Sequence, residues 1–219
     1  MIPYKTLYVN KPYLIVLLFP MKLTWLIIAW LLFGSLHSVM AASTFKNRLQ
    51  SAMKGNYRFY RIFYSLIATL SLIAVLWYHF SLNSLLLWNN SVLEKTIAFI
   101  LSVPAVIVMS VSIKKYFIDL SGVNVFMKSS SAKTAHLELT GLHKYVRHPL
   151  YFGTLLFAWC YFLWQPSASN LISCICITLY TRIGVYFEER KLVREFGEDY
   201  IAYTKKVPML VPGLSKLVS

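Results

Sequence analysis

Acidic residues are what this chain has least of: eight Asp and Glu stand against 22 Lys and Arg in 219 residues. Charged residues together make up 14% of the sequence, where a soluble domain carries about 25%. So few carboxylates cannot solvate the surface of a globule this long, which excludes an ordinary soluble domain. Cysteine is almost as scarce. Cys160, Cys174 and Cys176 all fall inside apolar runs, so they offer no disulfide framework and no metal spacing with the histidines, and no metal site is expected. They read as small buried hydrophobes. The sequence also lacks internal repeats and low-complexity stretches.

Apolar residues, in contrast, account for 58% of the chain, and they gather in runs that approach the ~20 residues of a bilayer span. The expected class is an all-α, polytopic helical membrane protein. The net charge of +14 raises the question of nucleic acid, but Lys and Arg bracket the apolar runs, whereas a nucleic-acid protein carries them as a stripe on a folded face. Cationic loops facing an anionic leaflet explain the charge, so the bilayer is an expected partner and nucleic acid is not.

Five apolar runs read as spans: residues 23–42, 62–80, 96–113, 149–164 and 171–187. The third contains Pro104, which a membrane helix tolerates as a kink. The last two are short and joined only by residues 165–170, so they form a tight helical hairpin that is tilted or does not cross fully. Basic loops (Lys46 to Arg61, Lys114 to Arg147, the tail) alternate with the uncharged loops 81–91 and 165–170. This alternation places the basic loops in the cytoplasm. Residues 1–20 read apart from the rest. Pro3, Pro12 and Pro20 interrupt them, 13–19 is too short to span, and Met21-Lys22 makes a natural start. They are either an over-extended reading frame or a peripheral segment, and 21–219 is one membrane domain. Past the fifth span the tail begins as a helix with Leu192, Phe196, Tyr200, Tyr203 and Val207 on one apolar stripe. Its charged face, Glu195 included, is solvated, and the helix lies on the membrane or caps the bundle.

Because the span interiors hold no carboxylate, Glu188 and Glu189 stand out where the fifth span ends. They are either a solvated helix start or a pair held at the bilayer edge to bind a cation. At the start of the fourth span, residues 141–153 read GLHKYVRHPLYFG. Pro149 fits the first turn of a helix, leaving backbone N–H groups beside Arg147 and His148 as an anion site. Each feature alone also reads as ordinary membrane anchoring. Together they set a cationic helix start and a carboxylate pair at one face of a short hairpin, which suits a zwitterionic ligand. Two other histidines have plainer readings. His37, inside the first span, hydrogen-bonds a neighbouring helix, and His79 is an interfacial residue.

RHPLYFG at 147–153, EERKLVREFGEDYIAY at 188–203 and Val207-Pro208 together resemble the isoprenylcysteine carboxyl methyltransferase superfamily of integral membrane enzymes. YFIDLSGV at 116–123 and FGSLHS at 33–38 are similar to its bacterial methanethiol S-methyltransferase branch. The resemblance implies S-adenosyl-L-methionine as cofactor, held in the region 135–212 at the cytoplasmic side of a multi-pass protein, in a bacterial inner membrane. Matched residue by residue, the cofactor contacts are His148, Pro149, Leu150 and Tyr151 of the HPxY element, Glu188, and His136, Leu137 and Glu138 in the preceding loop. His143 stands where the family has a tyrosine. Gly184 stands where the prenylcysteine branch has a substrate-binding arginine, which favours a small or lipophilic thiol acceptor over isoprenylcysteine or a phospholipid. Arg182 lies two residues further back. No catalytic base is assigned. A rival of another class is a transporter or assembly factor that keeps the fold without the chemistry.

Overall fold

The computed structural model describes residues 11–121 and 137–213. It is an all-α polytopic membrane protein. In chain order the helices are α1 (Lys11–Ala41), α2 (Ser43–Met53), α3 (Tyr60–Ser81), α4 (Val92–Ser121), α5 (Pro149–Trp164), α6 (Ala168–Phe196) and α7 (Glu198–Lys206), with 3-10 turns at Lys54–Phe59 and Gly141–Lys144. Among the described residues the only β-pairing is an isolated bridge between Leu86 and Ser167.

Four segments are long and apolar enough to cross a membrane: Met21–Ala41, Tyr57–Ser81, Val92–Lys115 and Ala168–Phe196. Helix α5 has 16 residues, about 24 Å at 1.5 Å per residue, and falls short of a ~30 Å hydrocarbon core. Its packing compensates. A Cβ on Gly153 would lie 2.8 Å from Met109 Cγ and 3.1 Å from the Ala105 carbonyl oxygen, so the missing side chain lets α5 lie directly against α4. Leu31, Leu70, Trp77 and Ile107 are exposed, as a surface solvated by acyl chains requires. The interior is narrow, with Leu26, Trp30 and Val75 meeting Ile172 and Ile177 where α1, α3 and α6 converge.

At the end with uncharged loops, Ser91 and Glu94 form a reciprocal cap on α4: Ser91 N–H donates to Glu94 Oε2 (2.6 Å) and Glu94 N–H to Ser91 Oγ (3.3 Å). Asn90 Nδ2 donates to the carbonyls of Leu163 and Trp164, fastening that loop to the end of α5. His79 is here too, and it is not the interfacial residue that its position suggests. It is buried, and Trp30 Nε1 donates to Ser173 Oγ (2.9 Å), which lies 2.9 Å from His79 Nδ1. A polar ring inside an apolar bundle is retained because each of its nitrogens is met; Asn170 is its other partner.

Several boundaries differ from those read in the sequence, and helix α4 runs Val92–Ser121 where 96–113 was expected. Helix α1 starts at Lys11 rather than near residue 23, so Pro20 sits inside a helix. Pro12 falls in the first turn, where no hydrogen bond is lost, and proline is tolerated within apolar helices. The tail is not a separate helix: α6 runs from the hairpin turn to Phe196 without a break at Glu188. The break comes at Gly197, whose φ of 56° is a left-handed conformation that costs a side-chain-bearing residue. Beyond it α7 folds back. The apolar stripe does cap the bundle, with Tyr200, Tyr203 and Val207 packed against Leu137, Leu192 and Phe196.

Candidate functional site

The reversal at Gly197 brings Pro208 and Met209 back to the start of α5. Arg147 N–H donates to the Pro208 carbonyl (3.0 Å) and His148 N–H to that of Met209 (3.2 Å). Pro149 occupies the first turn of α5 and no side chain caps it. The N–H groups of that turn, at Leu150 and Tyr151, therefore lie at a helix start that favours negative charge.

The two glutamates at the end of α6 divide the work. Glu189 is the inner one, with 19% of its side chain exposed against 43% for Glu188. Arg147 grips it with two bonds, Nε to Oε1 and Nη2 to Oε2, both 2.9 Å. His148 Nε2 and the Tyr200 hydroxyl each lie 2.8 Å from Oε1. Arg147 uses Nη1 on the carbonyls of Thr204 (3.1 Å) and Val207 (2.6 Å). The pair is charge-assisted and bidentate, and it ties α5, α6, α7 and the final segment into one knot. Burial and then the bond to Glu189 push the Tyr200 phenol above its ordinary range, so it stays a donor.

Glu188 has the other role. Its carboxylate meets the Tyr151 hydroxyl and lies 3.8 Å from His148 Nδ1, facing a cavity of about 450 Å³. That volume is within the range of small-molecule sites. The structure places eight of the nine sequence-derived residues on this one cavity: Leu137, Glu138, His143, His148, Pro149, Leu150, Tyr151 and Glu188. His136 lies outside the described residues. Glu138 pairs with Lys115 Nζ at 2.7 Å and accepts from the N–H and hydroxyl of Thr140. These partners hold its carboxyl down to about 2. His143 faces Arg147 through Nδ1, 3.1 Å from that residue's carbonyl, which fixes the proton on Nδ1. Burial keeps its imidazole below the usual range despite that bond, so it is neutral at pH 7.

Arg147, which the sequence marks as part of an anion site, also lines the cavity, as do Leu192, Glu195, Phe196, Tyr200 and Tyr203, none of which was among the cofactor contacts matched in the sequence. Glu195 is exposed, as its place on the charged face of the tail implies, and it also borders the cavity, because α6 continues past the span. Arg182 does not line the cavity; it is exposed, with Nη1 3.6 Å from Met209 Sδ. The sequence held one usable sign of the knot. Arg147 directly precedes a proline-started helix and cannot follow it into the membrane, so it needs a carboxylate, and only eight exist.

Residues 25–216 match the family model described as NnrU protein. A methanethiol S-methyltransferase from Crocosphaera subtropica is 29% identical over 196 residues, covering 84% of this chain and 72% of that protein. Methanethiol S-methyltransferase 2 from Bradyrhizobium diazoefficiens is 44% identical over 75 residues, 33% of this chain and 27% of the relative. A protein-S-isoprenylcysteine O-methyltransferase from Xenopus laevis is 29% identical over 100 residues, 42% of this chain and 32% of its own. No solved structure matches the chain.

Proposed function

This chain belongs to the NnrU protein family, and we propose that within it the protein is an integral membrane methyltransferase that uses S-adenosyl-L-methionine to methylate a small or lipophilic thiol. The observation that carries the reading is the division of labour between adjacent glutamates. Glu189 is consumed by the fold, while Glu188 is left facing a cavity beside an uncapped helix start. A zwitterionic donor fits that arrangement. Glu188 supplies the negative group for an ammonium or sulfonium, the N–H groups of Leu150 and Tyr151 suit a carboxylate, and Leu192, Phe196 and Tyr203 give an apolar wall for a base. When bound, this cofactor supplies an electrophilic methyl group. The protein's own task is to hold donor and acceptor in line, which accounts for a large part of such an acceleration.

The acceptor class rests on Gly184. It lies one helical turn before Glu188, and a Cβ there would meet nothing within 4 Å, so the position opens toward an unfilled space where an acceptor can enter from the bilayer. Gly184→Arg should fold, because the space exists, and should lower turnover of a small thiol while leaving cofactor affinity near wild type. Unchanged turnover would remove Gly184 from the acceptor path.

The basic end of the bundle, which holds the cavity, faces the cytoplasm in this reading. A reporter fused after Ser219 should therefore read cytoplasmic and one inserted at Asn89–Asn90 outside. The reverse pattern would turn the site away from the cofactor pool. Equilibrium binding of S-adenosyl-L-methionine to detergent-purified protein, followed by an acceptor screen with small thiols, prenylcysteine and phosphatidylethanolamine, tests the reading as a whole.

A further inference from the structure

Deeper in the bundle than the cavity lies a polar cluster that donor binding does not use. His37 of α1 has Nε2 2.8 Å from the hydroxyl of Tyr64 on α3. Its ring meets that of Tyr180 on α6 edge-on at 6.2 Å, and the Tyr180 hydroxyl is 3.2 Å from Ser38 Oγ. Helices α1 and α6 approach closely here, since a Cβ on Gly34 would lie 2.9 Å from the Tyr180 ring. An ionisable side chain inside a membrane span is costly to keep, which makes it a candidate for chemistry.

Helical register connects the cluster to the cavity. Tyr180, Gly184 and Glu188 follow one another at four-residue steps on α6 and share a face. At Gly184 that face is open. From α5, Tyr151 lines the cavity, hydrogen-bonds Glu188 and lies within electrostatic reach of both Tyr180 and Tyr64. Gly184 thus leaves unfilled space on the α6 face between the Glu188 end of the cavity and the tyrosine hydroxyls. The titratable and charged groups facing the pair are Tyr180 on α6, Tyr60 and Arg61 on α3, and Tyr151 on α5.

We propose that Tyr64 and His37 form a proton relay that ionises the acceptor thiol, an assignment that rests on the S-methyltransferase reading. In the relay the Tyr64 hydroxyl donates to Nε2, which requires resting His37 to carry its proton on Nδ1. The thiol S–H gives its proton to Tyr64 Oη as the Tyr64 O–H gives its own to His37 Nε2. One S–H and one O–H bond break, one O–H and one N–H bond form, and a thiolate and an imidazolium remain with no other reactant consumed. The need is real: a thiol with a cysteine-like pKa of ~8.5 is only about 3% ionised at pH 7, and the thiolate is the nucleophile.

The relay is testable without the donor. A chromogenic aromatic thiol, titrated by its thiolate absorbance in the presence of donor-free, detergent-solubilised full-length protein, should show a depressed apparent pKa with wild type. His37→Gln and Tyr64→Phe should abolish the depression; Tyr64→Phe keeps the ring packing should the histidine variant fail to fold. In turnover with a small alkanethiol, both variants should bind S-adenosyl-L-methionine normally yet lose about 10²–10⁴-fold in rate at pH 7. That deficit should close by about tenfold per pH unit toward the thiol pKa, which a merely structural defect would not do. An identical thiol pKa in wild type and variants, or a deficit constant across pH, overturns the relay alone. Absence of donor binding and of methyl transfer in wild type overturns the methyltransferase reading, and the thiol titration still decides the relay.

Discussion

Replacing Glu189 with alanine is expected to destabilise the protein by about 3–5 kcal/mol, the range for removing one partner of a buried ion pair. The change strands the Arg147 guanidinium, which is 10% exposed, and takes an acceptor from both His148 and the Tyr200 hydroxyl. Arg147 keeps its bonds to the carbonyls of Thr204 and Val207, so the loss falls chiefly on α6 and on the docking of α7. Reversible denaturation in detergent, with limited proteolysis between Gly197 and Pro208 as a local readout, measures it. A variant as stable and as protected as wild type would show that the knot around Glu189 does not hold the tail.

Replacing the neighbouring Glu188 with glutamine should do the opposite: leave the fold intact and weaken donor binding. The substitution keeps size and hydrogen-bonding capacity and removes only charge. A charge-assisted hydrogen bond contributes about 1.5–3 kcal/mol, so affinity for S-adenosyl-L-methionine should fall by roughly tenfold to a hundredfold. The matched control is Glu198→Gln, exposed in the first turn of α7, and not Glu195, which lines the same cavity. Equal affinity in the Glu188 and Glu198 variants would place the donor elsewhere. The contrast between two adjacent glutamates, one buried in the Arg147 knot and one facing the cavity, is the sharper test because most indirect effects on folding would strike both.

Much of this architecture is legible in the sequence because lipid imposes length and polarity rules on every span. Residues 149–164 coincide with α5, since Pro149 and the polar turn at Gln165 mark its ends chemically. His37 forms the interhelical bond to Tyr64 expected of an imidazole inside a span. Where hydropathy fades without a breaker, the sequence misleads. Helix α6 continues nine residues beyond Phe187 to Phe196, because Glu188 to Glu195 are good helix formers and nothing stops them until Gly197. Likewise His79 looks interfacial by position, yet Ser173 and Asn170, about ninety residues away, turn it inward.

The site was legible as a set of residues but not as a division of roles. HPxY and the glutamate pair mark where chemistry-bearing groups gather, and the cavity runs along them. Which glutamate is free depends on Arg147 and Tyr200, whose approach follows from the reversal at Gly197 and the packing of Tyr203 and Val207. Those are long-range contacts, invisible to spacing. Cavity walls on α7 are missed for the same reason.

The most direct test of the central claim is methyl transfer itself. Detergent-purified protein is incubated with methyl-labelled S-adenosyl-L-methionine and a small alkanethiol, and label is followed into the volatile thioether. Protein-dependent label is expected in the thioether, saturable in donor and with a donor requirement raised roughly tenfold to a hundredfold by Glu188→Gln. Wild-type protein that neither binds the donor nor labels any acceptor would contradict it, leaving a bundle that keeps this cavity for some purpose other than methylation.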